Sequence, residues 1–199
     1  MENTTIWQLD PAHTTVQFAV KHMMFTTVRG RFKSFSGVVH TDERNPDRSR
    51  VEVTIEAASI DTGVPDRDAH LRSADFLDVE NHPAIVFRST RVDGAHQKEN
   101  DRFQIAGELE IRGKRMPVTL EATFEGLGQD PWGKQRAGFA ARAEIDRREW
   151  GLRWNQALET GGVLVANSVK IEIEAQAVKQ DGDEAQSAAA GASATRQQG

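Results

Sequence analysis

Residues 103–111 read FQIAGELEI, and the order of their side chains decides the fold class. Phe103, Ile105, Gly107, Leu109 and Ile111 share one parity, while Gln104, Glu108 and Glu110 take the other. An extended chain sends successive side chains to opposite faces, so this stretch reads as a strand with one dry and one wet face. Working outward, VTLEATF at 118–124 sets Val118, Leu120, Ala122 and Phe124 against Glu121 and Thr123. VKIEIEAQA at 169–177 sets Val169, Ile171, Ile173 and Ala175 against Lys170, Glu172 and Glu174. Val51, Val53 and Ile55 alternate in the same way with Glu52, Thr54 and Glu56. Antiparallel sheets packed on one face produce this pattern.

The alternation predicts eight strands, at 14–24, 28–40, 50–60, 84–93, 102–112, 117–127, 136–147 and 163–178, with a short edge around Trp7 and Leu9. Turn chemistry separates them at Asn45-Pro46-Asp47, Asp93-Gly94, Arg112-Gly113-Lys114 and Gln129 to Gly133. Gly30, Gly37, Gly107 and Gly138 fall inside strands and mark bends or bulges where a sheet closes. Long antiparallel strands with one apolar face fit an up-and-down barrel, whose interior is filled by side chains or holds one small ligand. No linker divides residues 1–179, which form one domain, and the small, polar stretch 180–199 is expected to be disordered.

Composition narrows the functions. The 199 residues carry a net charge of −5 and 38% apolar residues, so no basic field exists to hold a nucleic acid. There is no cysteine, which removes disulfides, thiolate nucleophiles and zinc–thiolate sites. MENTTIWQLD lacks a basic start and an apolar core, so the expectation is a chain without a secretory signal and a cytoplasmic location. No run approaches the roughly 18 apolar residues of a membrane-spanning helix.

One stretch, DTGVPDRDAHLRSADFLD at 61–78, breaks the alternation and predicts a short helix over about 66–77. Asp66 is positioned as its N-cap, Asp68 lies in the first turn, and Asp68 and Arg72 stand at the i,i+4 spacing of a surface ion pair. That arrangement serves a structural cap or a catalytic helix, and only His70 lacks an ordinary helix-building role. His13, His22, His40, His70, His82 and His96 form neither H-x-H nor H-x-x-x-H, so no metal site is expected. In VQFAVKHMM, His22 shares parity with Val16, Phe18 and Val20 and points inward, either as a bonded core histidine or as a donor to a ligand. Nine phenylalanines and no tyrosine suit a packed core and a lipid pocket equally, and no serine nucleophile motif or phosphate loop is present.

Four segments together resemble the YceI-like family: WQLDPAHTTVQFAVKHMMFTTVRGRFKSFSGVV, SIDTGVPDRDAHLRSADFLDVENHPAIVFRSTRV, GELEIRGKRMPVTLEATFEG and IDRREWGL. Order and spacing also agree, over roughly residues 6 to 176. The resemblance implies an all-β, lipocalin-like, extended antiparallel barrel around a hydrophobic tunnel. It further implies binding of a polyisoprenoid, an isoprenoid quinone precursor or another long-chain lipid, often by a homodimer, with no cofactor. Relatives often carry Phe where this chain has Leu77, and Phe before the glycine where it has Trp150, so a pocket wall or entrance differs here.

On that reading the tunnel is lined by Phe, Val, Ile and Met. The residues expected at the ligand are Phe18, Val20, His22, Phe32, Val53 and Ile55 from the first strands. His70 and Phe76 join them from the helix, Phe87, Phe103, Ile105 and Leu109 from the middle strands, and Phe124, Phe139 and Trp150 from the last. Lys21, Arg31, Arg67 and Arg72 are the cations expected at a mouth for an anionic head group. The alternatives are an enzyme using His70, Asp68 and His22 as acid and base on a bound lipid, and a barrel filled by its own side chains.

Overall fold

Apolar stripes on so many strands stay dry only when the sheet curls around them, and the computed structural model shows that curl completed. It describes residues 4–95, 98–159 and 162–180. The strands are β1 Thr4–Leu9, β2 Thr15–His22, β3 Thr26–Phe32, β4 Phe35–Asp42, β5 Arg50–Glu56 and β6 Ile60–Asp61. Helix α1 (Pro65–Arg72) follows, then β7 Ala84–Asp93, β8 Arg102–Ile111, β9 Lys114–Gln129, β10 Gln135–Asp146 and β11 Val165–Lys179. Pairing runs β1-β4-β5-β7-β8-β9-β10-β11 and returns to β1, a closed antiparallel barrel of eight strands.

The three remaining strands are continuations. β2 prolongs β1 along β11, where Leu9 faces Ala177 and Thr15 faces Glu174. β3 runs on into β4 and β5 into β6, so each expected strand at 28–40 and 50–60 exists as one bent strand. The bends follow residues 33–34 and a 3-10 turn at Ala57–Ser59. The segment around Trp7 and Leu9 is not the short edge anticipated from the sequence. Trp7 pairs with Val39 on one side and Lys179 on the other, and both apolar side chains are buried. This segment closes the barrel, a long-range pairing that its own few residues do not announce.

Two glycines make room for aromatic rings on neighbouring strands. A Cβ on Gly30 would lie 2.3 Å from Phe18 Cζ, and one on Gly107 2.6 Å from Phe87 Cζ. Only a bare backbone lets those rings lie flat across the strand.

The barrel wall parts on one side, and α1 packs against the parted segment. β5 pairs with β7 up to Glu56, but β6 pairs only with β3, so the chain peels away from β7 beyond that point. Arg72 satisfies carbonyls along the detached segment, donating from Nε to Ala58 O and from a terminal nitrogen to Ile60 O, both at 2.7 Å. Two expectations for this helix are corrected. Asp66 is not the N-cap: Val64 holds that position with extended backbone, and Pro65, whose fixed φ and missing N–H suit a helix start, occupies the first turn. Asp68 does not pair with Arg72 but is buried, accepting from Thr62 N at 2.9 Å and Thr62 Oγ1 at 2.6 Å. The helix also stops at Arg72 rather than 77, because Ser73 turns extended and its hydroxyl caps His70 O. Phe76 and Leu77 then tuck inward as buried core residues. The expected disordered tail falls outside the described residues apart from Gln180, whose N–H donates to Ile6 O.

Candidate functional site: the barrel cavity

The inward stripes do not meet across the barrel, and a cavity of about 880 Å³ remains between them. It extends from Thr41, Glu43 and Pro46 at one end to Lys21, His22, Asp66, Arg67 and Leu164 at the other. Its middle is walled by Phe18, Phe87, Ile105, Leu120 and Ile171 among other aliphatic and aromatic side chains. Rings pair within the wall, Phe18 with Phe32 at 5.8 Å and Phe124 with Phe139 at 5.5 Å between centroids. Charged side chains gather at the two ends, so the middle of the cavity is apolar and its ends are polar. A cavity in the 300–1,000 Å³ range is large enough for a ligand.

Of the residues expected at the ligand, Phe18, Val20, His22, Phe32, Val53, Ile55 and Phe76 border this cavity. So do His70, Phe87, Phe103, Ile105, Leu109, Phe124 and Phe139. Trp150 does not. It is 2% exposed, with its indole Nε1 donating to Leu109 O at 2.9 Å, which anchors the 3-10 turn Arg147–Trp150 behind the wall. Methionine is also absent from the lining among the described residues: Met116 is partly buried against the core, and Met23 and Met24 face solvent.

The helix end of the cavity is an aromatic corner. The His70 ring stands edge-on to Phe76 at 5.0 Å and to Trp154 at 4.6 Å, and its Nε2 contacts Asp75 Oδ2 at 2.9 Å. His70 thus has a partner, and its unexplained status in the sequence disappears. The three acid–base candidates are not joined: Asp68 is committed to Thr62, His70 to Asp75, and no hydrogen bond links His22 to either. Of the expected mouth cations, Arg31 pairs with Asp61, Arg67 bonds the hydroxyl and carbonyl of Thr62, and Arg72 bonds Ala58 and Ile60 carbonyls. Lys21 is left at the opening with no ion pair among the described residues. Among those residues no group of three His, Asp or Glu is arranged to hold a metal ion.

Many lining residues, Leu120 and Ile171 among them, were not named at the ligand from the sequence, and two of these, Trp154 and Arg147, are of a kind that strand alternation does not point inward. Trp154 lies in a stretch without strand periodicity, so nothing there marked it as inward. Arg147 is 4% exposed and reaches the cavity wall with no carboxylate on its guanidinium among the described residues. It donates instead to Ala166 O and Trp154 O at 3.0 Å and to Leu152 O, and more distantly to Val165 O and Asn167 Oδ1. Burial pushes its pKa below the usual value, an effect that neighbouring Asp146 opposes. At the opposite end, hydrogen bonds from Arg136 and then His13 hold the Asp10 carboxyl down to about 2.

Comparison with known proteins agrees with this architecture. Residues 7–177 match the YceI-like domain. Protein YceI of Escherichia coli O157:H7 is 42% identical over 141 residues, covering 71% of this chain and 72% of that one. Protein YceI of Salmonella newport is 43% identical over 140 residues, covering 70% and 71%. Among solved structures, Burkholderia cenocepacia BcnA superposes with a TM-score of 0.70 at 25% identity, covering 84% of this chain and 98% of that one. A polyisoprenoid binding domain from Saccharophagus degradans, implicated in plant cell wall breakdown, shares the fold with a TM-score of 0.65 at 13% identity, covering 90% and 100%. A matched domain spanning nearly the whole barrel and this level of identity lead to one conclusion: the chain belongs to the YceI-like family.

Proposed function

We propose that this barrel binds and carries or stores a long-chain hydrophobic lipid, a polyisoprenoid or a compound of similar shape, and that it does so without chemical conversion. The observation that carries the reading is the end-to-end cavity of about 880 Å³ with an apolar middle and polar ends. At about 30 Å³ for each heavy atom, the liquid volume of one water, such a space holds on the order of 30 atoms. A chain of about 20 carbons would gain roughly 16 kcal/mol in gross transfer free energy at about 0.8 kcal/mol for each CH₂. Lost freedom of ligand and wall reduces that figure, yet the remainder is compatible with tight binding that uses no charged contact. The name of the Saccharophagus degradans relative gives the same ligand class independent support.

Native mass spectrometry of the purified chain, with organic extraction of whatever it retains, tests the reading. The expected result is a stoichiometric apolar lipid that is recovered unchanged after prolonged incubation. A barrel that neither retains nor takes up any lipid refutes binding, and conversion of the lipid refutes the carrier role.

A further inference from the structure

The β2–β3 hairpin projects a tip that solubility alone would not select. Met24 and Phe25 are 63% and 82% exposed, and Met23 beside them is 37% exposed. The tip is closed by Phe25 N–H donating to His22 O, with Met23 and Met24 between them, both at positive φ (49° and 63°). L side chains occupy that region at a cost, and tight hairpin turns normally place Asn or Gly there. Two methionines and a phenylalanine therefore stand where neither turn geometry nor core packing calls for them. Apolar side chains gathered on a surface in this way mark an interaction site.

The position of the tip points to what it meets. Lys21 and His22, at its base, border the open end of the cavity, and Met23 N–H donates to Leu164 O beside the neighbouring strand β11, which borders the same end. From residue 11 to residue 41 the chain contains no Asp or Glu, but it has Lys21, Arg29, Arg31 and Lys33. Arg31 and Lys33 are paired with Asp61, whereas Lys21 and Arg29 have no ion pair among the described residues. The acid that borders the same end of the cavity is Asp66 on α1. An apolar tip flanked by unpaired cations has the composition of an interfacial anchor for an anionic lipid surface. A second copy of the chain fits less well, because a two-fold contact through this tip would set Lys21 and Arg29 against their own counterparts.

We propose that the His22–Thr26 tip is a membrane-docking element, which inserts Met24 and Phe25 among anionic lipids and seats the cavity mouth on the bilayer. The proposal rests on the lipid-carrier reading, since a cargo nearly insoluble in water must be exchanged where it is dissolved. Docking would give it a dry route from bilayer to barrel, with Lys21 and Arg29 at the head-group level.

Vesicle flotation tests this, using phosphatidylcholine vesicles with and without roughly a third of phosphatidylglycerol. The full chain should float with the anionic vesicles and less so as salt rises. Met24→Ser with Phe25→Ser should lower partitioning by about tenfold or more, since the apolar area is removed. Arg29→Glu should weaken binding to anionic vesicles several-fold and leave the weak binding to neutral ones unchanged. In vesicle-free buffer, the Met24/Phe25 double variant should take up a polyene fatty acid delivered from cyclodextrin as well as the parent does. A parent chain that fills from cyclodextrin yet ignores both vesicle types refutes docking while sparing the carrier reading. A chain that neither fills from cyclodextrin nor floats with either vesicle type overturns both. Loss of a dimer in sedimentation, with vesicle binding intact, would assign the tip to self-association and also overturn the proposal.

Discussion

Replacing Arg147 by methionine should destabilise the barrel by about 3–4 kcal/mol, and the arithmetic comes from its partners. The guanidinium holds the carbonyls of Leu152, Trp154 and Ala166 at hydrogen-bonding distance, with two longer contacts to Val165 O and Asn167 Oδ1. Ala166 lies within the pairing irregularity of β11 with β2, between Val165 and Val169, so that strand offers no replacement there. Methionine leaves one buried and two partly buried acceptors unpaired at about 1–3 kcal/mol each, partly offset because a buried cation no longer has to be desolvated. Water entering from the cavity would rescue some of them, which places the estimate in the lower half of the sum. For a domain of this size the loss corresponds to roughly 6–16 °C in Tm. Urea unfolding followed by tryptophan fluorescence is a suitable assay, because Trp150 and Trp154 both sit on the segment that Arg147 ties down. Arg147→Lys should recover only a minor part, since an ammonium cannot reach carbonyls spread around a planar fork. A methionine variant within about 1 kcal/mol of the parent would refute the assignment of Arg147 as the organiser of this loop.

Four further outcomes are expected. Ala141→Trp, which projects a large ring from β10 into the cavity, should reduce lipid uptake by about tenfold or more with little change in Tm, as measured by titration with a fluorescent fatty acid. Trp150→Phe should cost about 1–2 kcal/mol through the lost bond to Leu109 O while leaving lipid capacity intact, since Trp150 lies outside the cavity. Gly30→Ala should cost about 1–3 kcal/mol, because its Cβ overlaps the Phe18 ring, and Phe18→Leu in the same chain should restore much of the loss in thermal melts. Asp10 has a folded pKa near 2 against an ordinary 3.8, so its contribution is complete above the higher value and vanishes as pH falls through the lower. The Tm gap between the parent and Asp10→Asn should therefore be widest near neutral pH and close by about pH 2, and a gap independent of pH would contradict the Arg136 linkage.

The barrel was legible because its evidence is local. Alternation in FQIAGELEI and VTLEATF needs only the two-residue period of an extended chain, and the glycines and turn residues punctuate it at short range. That local signal, summed over the chain, determined an antiparallel barrel with Phe18, Phe87, Ile105 and Phe124 facing inward. Local chemistry misread what depends on partners far along the chain. Asp68 and Arg72 have ideal spacing for a surface pair, yet each was claimed by the strand that peels away from β7. Trp7 and Leu9 looked like an edge, because closure with Val39 and Lys179 spans most of the chain. Trp150 and Trp154 are four residues apart in a stretch without period, and only packing put one behind the wall and the other against His70. Whether the inward stripes meet or stand apart is likewise a property of the closed cylinder and not of any single strand. The sequence by itself determined which face of each periodic strand turns inward; tertiary closure decided that a cavity remains between those faces, where the segments without period pack, and which residues stand at the mouth.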